Sequence, residues 1–376
     1  MKSIILRENL KEGLSVVERV AVKSISLPIL NNILITTAKN ILELSATDLE
    51  MGIRYRILAK NEGEGGVVVP AKFLSSFIGL LSDPQITLEG KEKILVVDSK
   101  NHHTEIKALN LDDFPIIPTT QNEENAIEVS AQAFCQGIGQ VVGVTSQSQT
   151  RPEITGVYIS FGKSAVKIVA TDSFRLAERT LQLGRENGSE HTFILPQKTA
   201  REIVAVLGDK PGKMKIYISP NQVTFRYEGE DSPSQLHIEI VSRVIDGEYP
   251  NYQEVIPKQT ETKATMDKNE LINQIRAASI FANKMQELRF SLDPKSKKAE
   301  LVSQNTDLGS HSSSLQIEGD GEKTAASFNW RFFLEGVSQV RTDRIEIGMN
   351  GEEGASVIKA AGGNEGYLYV LMPIKA

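Results

Sequence analysis

Apolar side chains recur at helical spacing in three separate parts of the chain. The positions are Leu10, Leu14, Val17 and Ala21, then Phe134, Ile138, Val141 and Val142, then Leu271, Ile275, Ala278 and Phe281. Spacings of three and four residues place such side chains on one face of a helix. Alternating apolar and polar residues follow, as at Val157, Ile159 and Phe161, and this pattern predicts strands joined by short turns. The chain therefore predicts three similar segments, each beginning near an amphipathic helix.

Three landmarks recur in the same order in these segments. An apolar stretch ends at Asp48, Asp172 and Asp307. A strand then runs into a second helix at Pro70, Pro196 and Asn329, and each copy closes with Phe114-Pro115, Tyr249-Pro250 or Met372-Pro373. The repeat is about a domain long, which is longer than the unit of a solenoid protein.

Polar stretches with the composition of linkers separate the copies, at residues 119–125 and 257–263. They predict three domains, over residues 1–118, 126–257 and 264–376. Each domain is expected to hold two helices and about eight strands. This is an α+β fold, with the helices packed on one face of antiparallel sheets.

The composition narrows the class of protein. Of 376 residues, 40% are hydrophobic and the net charge is −6, so the chain can fill cores and is not disordered. Its one cysteine, Cys135, excludes an intrachain disulfide framework. Neither a secretory leader nor an apolar run long enough for a membrane helix is found, so we expect a soluble, cytoplasmic protein.

The motifs that could carry chemistry are weak. Gly162-Lys163-Ser164 lacks the earlier glycine of a phosphate loop, because Val157 stands there, and its context predicts a hairpin turn. The five histidines and one cysteine have no zinc-site spacing. The repeated Asp is interpreted as a turn residue whose carboxylate accepts backbone N–H groups. We expect no cofactor, metal site or catalytic residue, although a constellation formed only in space stays open.

A cation stands two residues after each second-helix landmark, at Lys72, Lys198 and Arg331. Because these residues hold equivalent positions in the three predicted domains, we expect their side chains to lie on the same side of the assembly. Other cations on or beside the same helices could join them: Lys11, Arg19, Lys23, Arg201 and Arg276. Ordinary solvated surface cations are the alternative. Because acidic residues outnumber basic ones, a nucleic-acid partner would have to be retained by something other than a strong electrostatic grip.

Several longer motifs carry a resemblance to a known family. They are LPILNNILI (27–35), SATDLEMGI (45–53), TRPEITGVYI (150–159), VATDSFRLAERT (169–180), VIDGEYPNYQEVIP (244–257) and YVLMPIKA (369–376). With these, the whole chain resembles the bacterial DNA polymerase III beta subunits, the sliding clamps.

The resemblance implies the DNA-clamp fold and a function without catalysis. Two chains would form a head-to-tail homodimer, a ring whose helices surround double-stranded DNA without reading its sequence. Such a ring tethers the DNA polymerase III catalytic subunit and confers processivity. A separate clamp-loader ATPase would open it, and other polymerases and repair proteins would bind it through a linear motif. No membrane partner is implied.

The resemblance also implies a pocket between the second and third domains for a peptide rich in Gln, Leu and Phe. The corresponding positions are Ile154, Thr171, Ser173, Phe174, Arg175, Leu176, Pro250, Val255, Met285, Asn329, Phe332, Val370, Leu371, Met372, Pro373 and Ile374. The chain departs from the family pattern at Ser173-Phe174, where Gly-His is common, at Glu254, where Arg is common, and at Ile374-Lys375-Ala376, where Met-Arg-Leu is common. The peptide preferred by this chain is therefore open.

Two other functions stay open on the sequence. One is a tandem-repeat interaction scaffold that does not bind DNA, and the other is a hydrolase whose site is not visible in sequence. Dependence on DNA topology separates the scaffold from a clamp. Turnover that is lost with a single polar substitution would identify the hydrolase.

Overall fold

A computed structural model describes residues 1–21, 24–119, 126–184, 190–229, 237–363 and 365–375. Lys23 and Ala376 lie outside the described residues. Within these ranges each predicted copy contains two α-helices and eight or nine strands, as the sequence predicted.

The first copy begins with a strand and a helix. Its helices are α1 (Arg7–Val17) and α2 (Ala71–Leu80). Its strands are β1 (Lys2–Leu6), β2 (Asn32–Ala38), β3 (Ile41–Thr47), β4 (Met51–Leu58), β5 (Lys60–Glu62), β6 (Gly65–Pro70), β7 (Gln85–Lys91), β8 (Ile94–Asp98) and β9 (His103–Lys107).

The second copy repeats this order. Its helices are α3 (Ala131–Val141) and α4 (Gln197–Leu207). Its strands are β10 (Ile127–Ser130), β11 (Gly156–Phe161), β12 (Ala165–Thr171), β13 (Arg175–Gln182), β14 (His191–Pro196), β15 (Lys213–Ser219), β16 (Gln222–Glu228) and β17 (His237–Arg243).

The third copy follows the same plan. Its helices are α5 (Lys268–Ser279) and α6 (Trp330–Gln339). Its strands are β18 (Thr262–Asp267), β19 (Glu287–Asp293), β20 (Lys298–Asn305), β21 (Gly309–Gln316), β22 (Glu318–Asp320), β23 (Thr324–Asn329), β24 (Arg344–Met349), β25 (Ser356–Ala360) and β26 (Tyr367–Leu371).

The chain divides by its contacts into two compact units. The first consists of Met1–Gln136 and Lys198–Val244, and the second of Gly137–Gln197 and Ile245–Ala376. The second copy contributes to both. The predicted domain boundaries at 118, 126, 257 and 264 stay a prediction.

Antiparallel sheets form the first unit. One has the order β5-β1-β7-β8-β9, and the other has the order β10-β15-β16-β17-β4-β3-β2-β6. The larger sheet runs from the second copy into the first where β17 pairs with β4, with Gly52 opposite Val241.

The second unit is built in the same way. Its larger sheet has the order β14-β11-β12-β13-β26-β25-β24-β18-β22, and its smaller sheet has the order β21-β20-β19-β23. Here β13 of the second copy pairs with β26 of the third, with Leu176 opposite Val370. Each junction between copies is therefore a continuous antiparallel sheet.

The apolar positions that predicted the first helix of each copy are buried, apart from the last in each series. Leu14, Ile138 and Ile275 are inaccessible or nearly so. The helices end earlier than predicted, because Ala21, Val142 and Phe281 lie beyond Val17, Val141 and Ser279. That part of the prediction was wrong.

Glycine allows the first helix of two copies to lie close to its sheet. A Cβ atom at Gly13 would stand 2.8 Å from side-chain atoms of Leu44 and Tyr55, and one at Gly137 would stand 2.9 Å from Ile168. Any larger residue would push the helix away from the sheet. Among the helices described, none is long and apolar enough to cross a membrane.

Candidate functional site

A cavity of about 290 Å³ opens in the second unit, beside the junction of β13 and β26. Its lining residues are Arg151, Ile154, Thr171, Ser173, Arg175, Leu176, Pro250, Asn251, Tyr252, Val255, Val370 and Met372. Nine of them are residues that the sequence assigned to a peptide pocket. The structure thus brings together residues that are more than 200 positions apart in the chain.

The floor of the cavity is apolar. Ile154, Leu176 and Val370 are buried in one hydrophobic cluster. Leu176 and Val370 face each other across the paired strands β13 and β26, so both side chains project from the same face of the sheet. This floor can receive apolar side chains of a ligand because burying them there removes them from water.

One wall is the turn between β12 and β13. Asp172 Oδ1 accepts hydrogen bonds from the backbone N–H groups of Phe174 and Arg175, both at 3.0 Å. Thr171 Oγ1 donates to the carbonyl of Arg175 at 2.7 Å, and Ser173 takes a φ of 78°. These bonds hold Thr171 and Ser173 at the edge of the cavity.

The same turn occurs in the first copy, which confirms the structural interpretation of Asp48 and Asp172. Asp48 Oδ1 accepts from the backbone N–H groups of Glu50 and Met51 at 3.0 and 2.8 Å. In the third copy the prediction was wrong. There Asn305 Oδ1, and not the carboxylate of Asp307, accepts from the N–H groups of Asp307 and Leu308.

Arg175 is held tightly within the second unit. Its Nε donates to Asp172 Oδ2 at 2.9 Å, one terminal nitrogen donates to Glu335 at 2.6 Å, and the other donates to the carbonyl of Gly143 at 3.2 Å. Its guanidinium lies 4.1 Å from the ring centroid of Phe332. Burial alone would lower the pKa of Arg175, but the surrounding groups, Glu335 and Asp172 among them, outweigh it and raise the pKa. The charge of Arg175 is thus internally neutralised.

The opposite wall is the short 3₁₀ turn Tyr252–Val255 and the two residues before it. The Tyr252 ring packs edge-on against Tyr158 and Tyr249, whose rings are stacked with centroids 4.8 Å apart. Val255 is 53% exposed although it is apolar. It therefore offers an accessible apolar contact at the mouth of the cavity.

Three lining residues were missed by the sequence analysis: Arg151, Asn251 and Tyr252. Each lies within three residues of one that was found. Arg151 precedes the 3₁₀ turn Pro152–Ile154, while Asn251 and Tyr252 directly follow Pro250. The signal was present in the motifs TRPEITGVYI and VIDGEYPNYQEVIP, within three residues of the assigned positions.

Seven assigned residues do not line the cavity. They are Phe174, Met285, Asn329, Phe332, Leu371, Pro373 and Ile374. Leu371 is buried because it follows Val370 in a strand and so points to the other face of the sheet. Asn329 Oδ1 accepts from the N–H of Arg331 and so caps α6.

Of the other members of this set, Phe174 and Met285 are exposed, Phe332 and Ile374 are half-buried, and Pro373 is buried. The Phe174 side chain is exposed, and its carbonyl accepts from the N–H of Met372 at 2.9 Å. The N–H of Ile374 donates to the carbonyl of Ser327 at 2.7 Å. Met285 is exposed and lies in a separate surface depression together with Val302. A direct role for these residues in binding stays a prediction.

The predicted cations differ in how free their charges are. Lys198 Nζ pairs with Asp48 Oδ2, and Arg19 Nε pairs with Glu202 Oε2 at 2.6 Å. The Arg331 guanidinium lies 5.4 Å from the ring centroid of Trp330. The remaining described members, Lys11, Lys72, Arg201 and Arg276, are exposed on helices.

The features that could indicate catalysis have structural explanations. Gly162 lies in the hairpin between β11 and β12, where its N–H donates to the carbonyl of Ala165 at 2.9 Å, which confirms the predicted turn. Cys135 is buried, and burial raises the pKa of its thiol to about 12. No group of three or more His, Cys, Asp or Glu side chains suited to a metal ion occurs among the described residues.

Comparison with known families matches nearly the whole chain. The DNA polymerase III beta subunit N-terminal domain matches residues 1–118, its central domain residues 128–251, and its C-terminal domain residues 253–375. The chain is 27% identical to the beta sliding clamp of Synechococcus elongatus over 383 residues, covering 100% of this chain and 99% of that protein. It is 26% identical to the beta sliding clamp of Staphylococcus aureus over 361 residues, covering 93% of each chain.

Solved structures show the same architecture. The DNA polymerase sliding clamp from Bacillus subtilis matches with a TM-score of 0.93 and 23% identity, over 100% of this chain and 99% of that one. The DNA polymerase III beta subunit from Thermotoga maritima matches with a TM-score of 0.89 and 25% identity, over the same shares. The predicted three-domain clamp fold is thereby confirmed.

Proposed function

Because this chain belongs to the DNA polymerase III beta subunit family, the sliding clamps, we propose that it encircles duplex DNA as a head-to-tail homodimer and tethers the replicative polymerase there. The family acts as a processivity factor and has no catalytic activity. The clamp raises the effective concentration of polymerase at the primer end. It works in the cytoplasm, and a separate ATPase loads it.

The observation that carries the proposal is the cavity of the second unit. An apolar floor of Ile154, Leu176 and Val370 lies between two walls that hydrogen bonds and packing hold in place. Such a site suits a short linear peptide with two or three apolar anchor side chains. Met372 gives it an adaptable edge for partners of differing shape. The polymerase catalytic subunit, the loader, and other polymerases and repair proteins would share this site.

The charge of the chain supports retention by topology. With 42 basic and 48 acidic residues, it lacks the excess of cations from which ordinary DNA-binding proteins derive affinity. A closed ring needs only weak contacts with the DNA backbone that do not depend on base sequence, so it can slide along the duplex. The exposed Lys11, Lys72, Arg201 and Arg276 would supply such contacts more readily than Lys198 and Arg19, which are already paired with carboxylates.

Loading onto DNA circles tests the ring directly. Protein loaded on nicked circular DNA by a clamp loader should stay bound during gel filtration. After the circle is cut once, it should slide off the ends and elute separately. Equal retention on both forms would contradict encirclement. A protein that stays off both forms but still binds partner proteins would be the interaction scaffold.

Shortening the cavity edge tests the peptide site. Met372→Ala should lower the affinity for a fluorescent peptide containing Gln, Leu and Phe and should reduce polymerase processivity. The mass of the dimer in solution should stay the same. Leu176→Ala should have a larger effect, and deletion of residues 372–376 should abolish polymerase stimulation. Unchanged peptide affinity in all three variants would exclude this cavity as the partner site.

A further inference from the structure

Glu254 is an exposed acidic side chain in the chain segment that forms one wall of the cavity. It lies in the 3₁₀ turn Tyr252–Val255, between two residues that line the cavity, Asn251 and Val255. Asn251 Nδ2 donates to Glu254 Oε1 at 2.6 Å. This bond ties the exposed carboxylate to a residue that lines the cavity and restricts its rotamers.

The other charges at the cavity are matched by partners of opposite sign. Arg151 Nε bonds Glu153 Oε1 at 2.9 Å, and Arg175 bonds both Asp172 and Glu335. A backbone N–H bond and the Arg151 side chain lower the pKa of Glu153, so it remains ionised at neutral pH. The two guanidinium groups are thus neutralised by three carboxylates before Glu254 is counted.

Glu254 itself forms no ion pair with a cation among the residues that the structure describes. Among the described residues, the side-chain partner of its carboxylate is the neutral amide of Asn251. An ionised carboxylate that accepts one hydrogen bond retains several free acceptor positions. Glu254 can therefore accept a further, charge-assisted bond from a ligand, while the apolar side chains of that ligand occupy the floor.

We propose that Glu254 selects partner peptides that carry a Lys or Arg beside their apolar anchor residues. The proposal rests on the cavity being the peptide site of the clamp, and it adds the charge that the partner must bring. Complementary charge at the rim of an interface contributes mainly to the choice of partner and to the rate of association. An acidic residue at the same peptide position would be repelled.

Matched peptides test the selection. Three labelled synthetic peptides share a core of Gln, Leu and Phe and differ at one flanking residue, which is Lys, Gln or Glu; the varied residue is placed in turn on each side of the core. Fluorescence anisotropy with the full chain at low salt measures their affinities. On at least one side of the core, the Lys peptide should bind most tightly, the Gln peptide less tightly and the Glu peptide least tightly. The Lys peptide should bind about fivefold more tightly than the Glu peptide. The preference should shrink in about 0.5 M salt because the pair is exposed.

Variants assign the preference to Glu254. Glu254→Gln should make the three affinities equal, and Glu254→Lys should reverse their order. Glu300→Gln is the control, because it removes the same charge from an exposed position on β20, a strand that supplies no lining residue, whereas Glu254 stands between lining residues. A preference that persists in Glu254→Gln, or that is equally lost in Glu300→Gln, would overturn the proposal.

The experiment separates failure of this inference from failure of the proposed function. If all three peptides bind the parent chain equally and Met372→Ala weakens all of them, the cavity is the peptide site and only the role of Glu254 is refuted. If no peptide binds, or if peptide affinity is unchanged in both Met372→Ala and Leu176→Ala, the peptide site itself is refuted.

Discussion

The junction between the first and second copies contains a buried ion-pair cluster centred on Glu239, and neutralising Glu239 should destabilise the first unit. Arg54 and Glu239 are 6% and 3% exposed. Arg54 bonds Glu239 Oε1 at 2.5 Å and also donates to the carbonyls of Ile117 and Pro118. Arg226 bonds Glu239 Oε2 through two nitrogens, at 3.2 and 3.0 Å. One carboxylate therefore compensates two guanidinium groups.

The magnitude follows from what Glu239→Gln leaves behind. The shape is preserved, but two arginines lose the anion that they share. Glu43 lies 4.0 Å from Arg54, farther than Glu239 does. Breaking a buried pair by removing one partner costs about 3–5 kcal/mol. That is a large part of the roughly 5–15 kcal/mol that stabilises a typical domain. Unfolding of this sheet should become much easier.

Native-state hydrogen exchange measures the effect where it occurs. Protection of amides in β4 and β17 should fall by about two to three and a half orders of magnitude in Glu239→Gln. Amides in β12 and β13, in the second unit, should change little. Glu128→Gln is the control, because its pair with Lys213 at 3.0 Å is exposed on the same sheet and is worth about 1 kcal/mol or less. If Glu239→Gln and Glu128→Gln had equal effects, the reasoning about the buried cluster would be refuted.

Three further predictions concern single groups. Burial lowers the pKa of His237 below 6.5, so the free energy of unfolding should fall as the pH drops through that value and the unfolded chain takes up a proton. Urea titrations at about pH 7.5 and about pH 5.5 should show this loss in the parent chain and not in His237→Gln. An equal loss of stability in both proteins would contradict the prediction. Lys198→Gln should slow loading on circular DNA less than Lys72→Gln does, because Asp48 already pairs with Lys198; equal effects would contradict this. The Cys135 thiol should not react with a thiol reagent in the native protein and should react once it is unfolded, whereas rapid native labelling would refute its burial.

The fold was predictable where it depends on local patterns. Helical spacing gave the buried face of the first helix, as at Leu14 and Ile138, and the turn landmarks placed Asp48 and Asp172 correctly. The helix ends were less predictable, since Ala21 is apolar yet lies beyond the helix that ends at Val17. Apolar residues in a turn after a helix extend the pattern without extending the helix.

The continuous sheets were not predictable from the repeats. The pairing of β17 with β4, and of β13 with β26, joins strands from different copies, and local alternation does not specify a partner strand. The candidate site shows the same limit. Resemblance supplied Leu176 and Val370, but only strand pairing shows that Leu371 turns away from them and that Tyr252 joins them at the cavity.

The two junctions between copies differ at one equivalent position. The pair Gly52 and Val241 in the first unit is equivalent to the pair Leu176 and Val370 in the second. Above Gly52 the space is filled, because Ile117 lies where a Cβ atom would be, at 2.6 Å, and packs with Val241 in one cluster.

At the second junction a leucine takes the place of the glycine. The segment after Pro250 is equivalent to the segment that holds Ile117, and Leu176 lines the cavity at this junction. Tyr252 and Val255 instead stand at the sides of an open volume of about 290 Å³. One glycine-to-leucine difference between equivalent positions of the repeat thus separates the junction that Ile117 covers from the junction that lies beside the cavity.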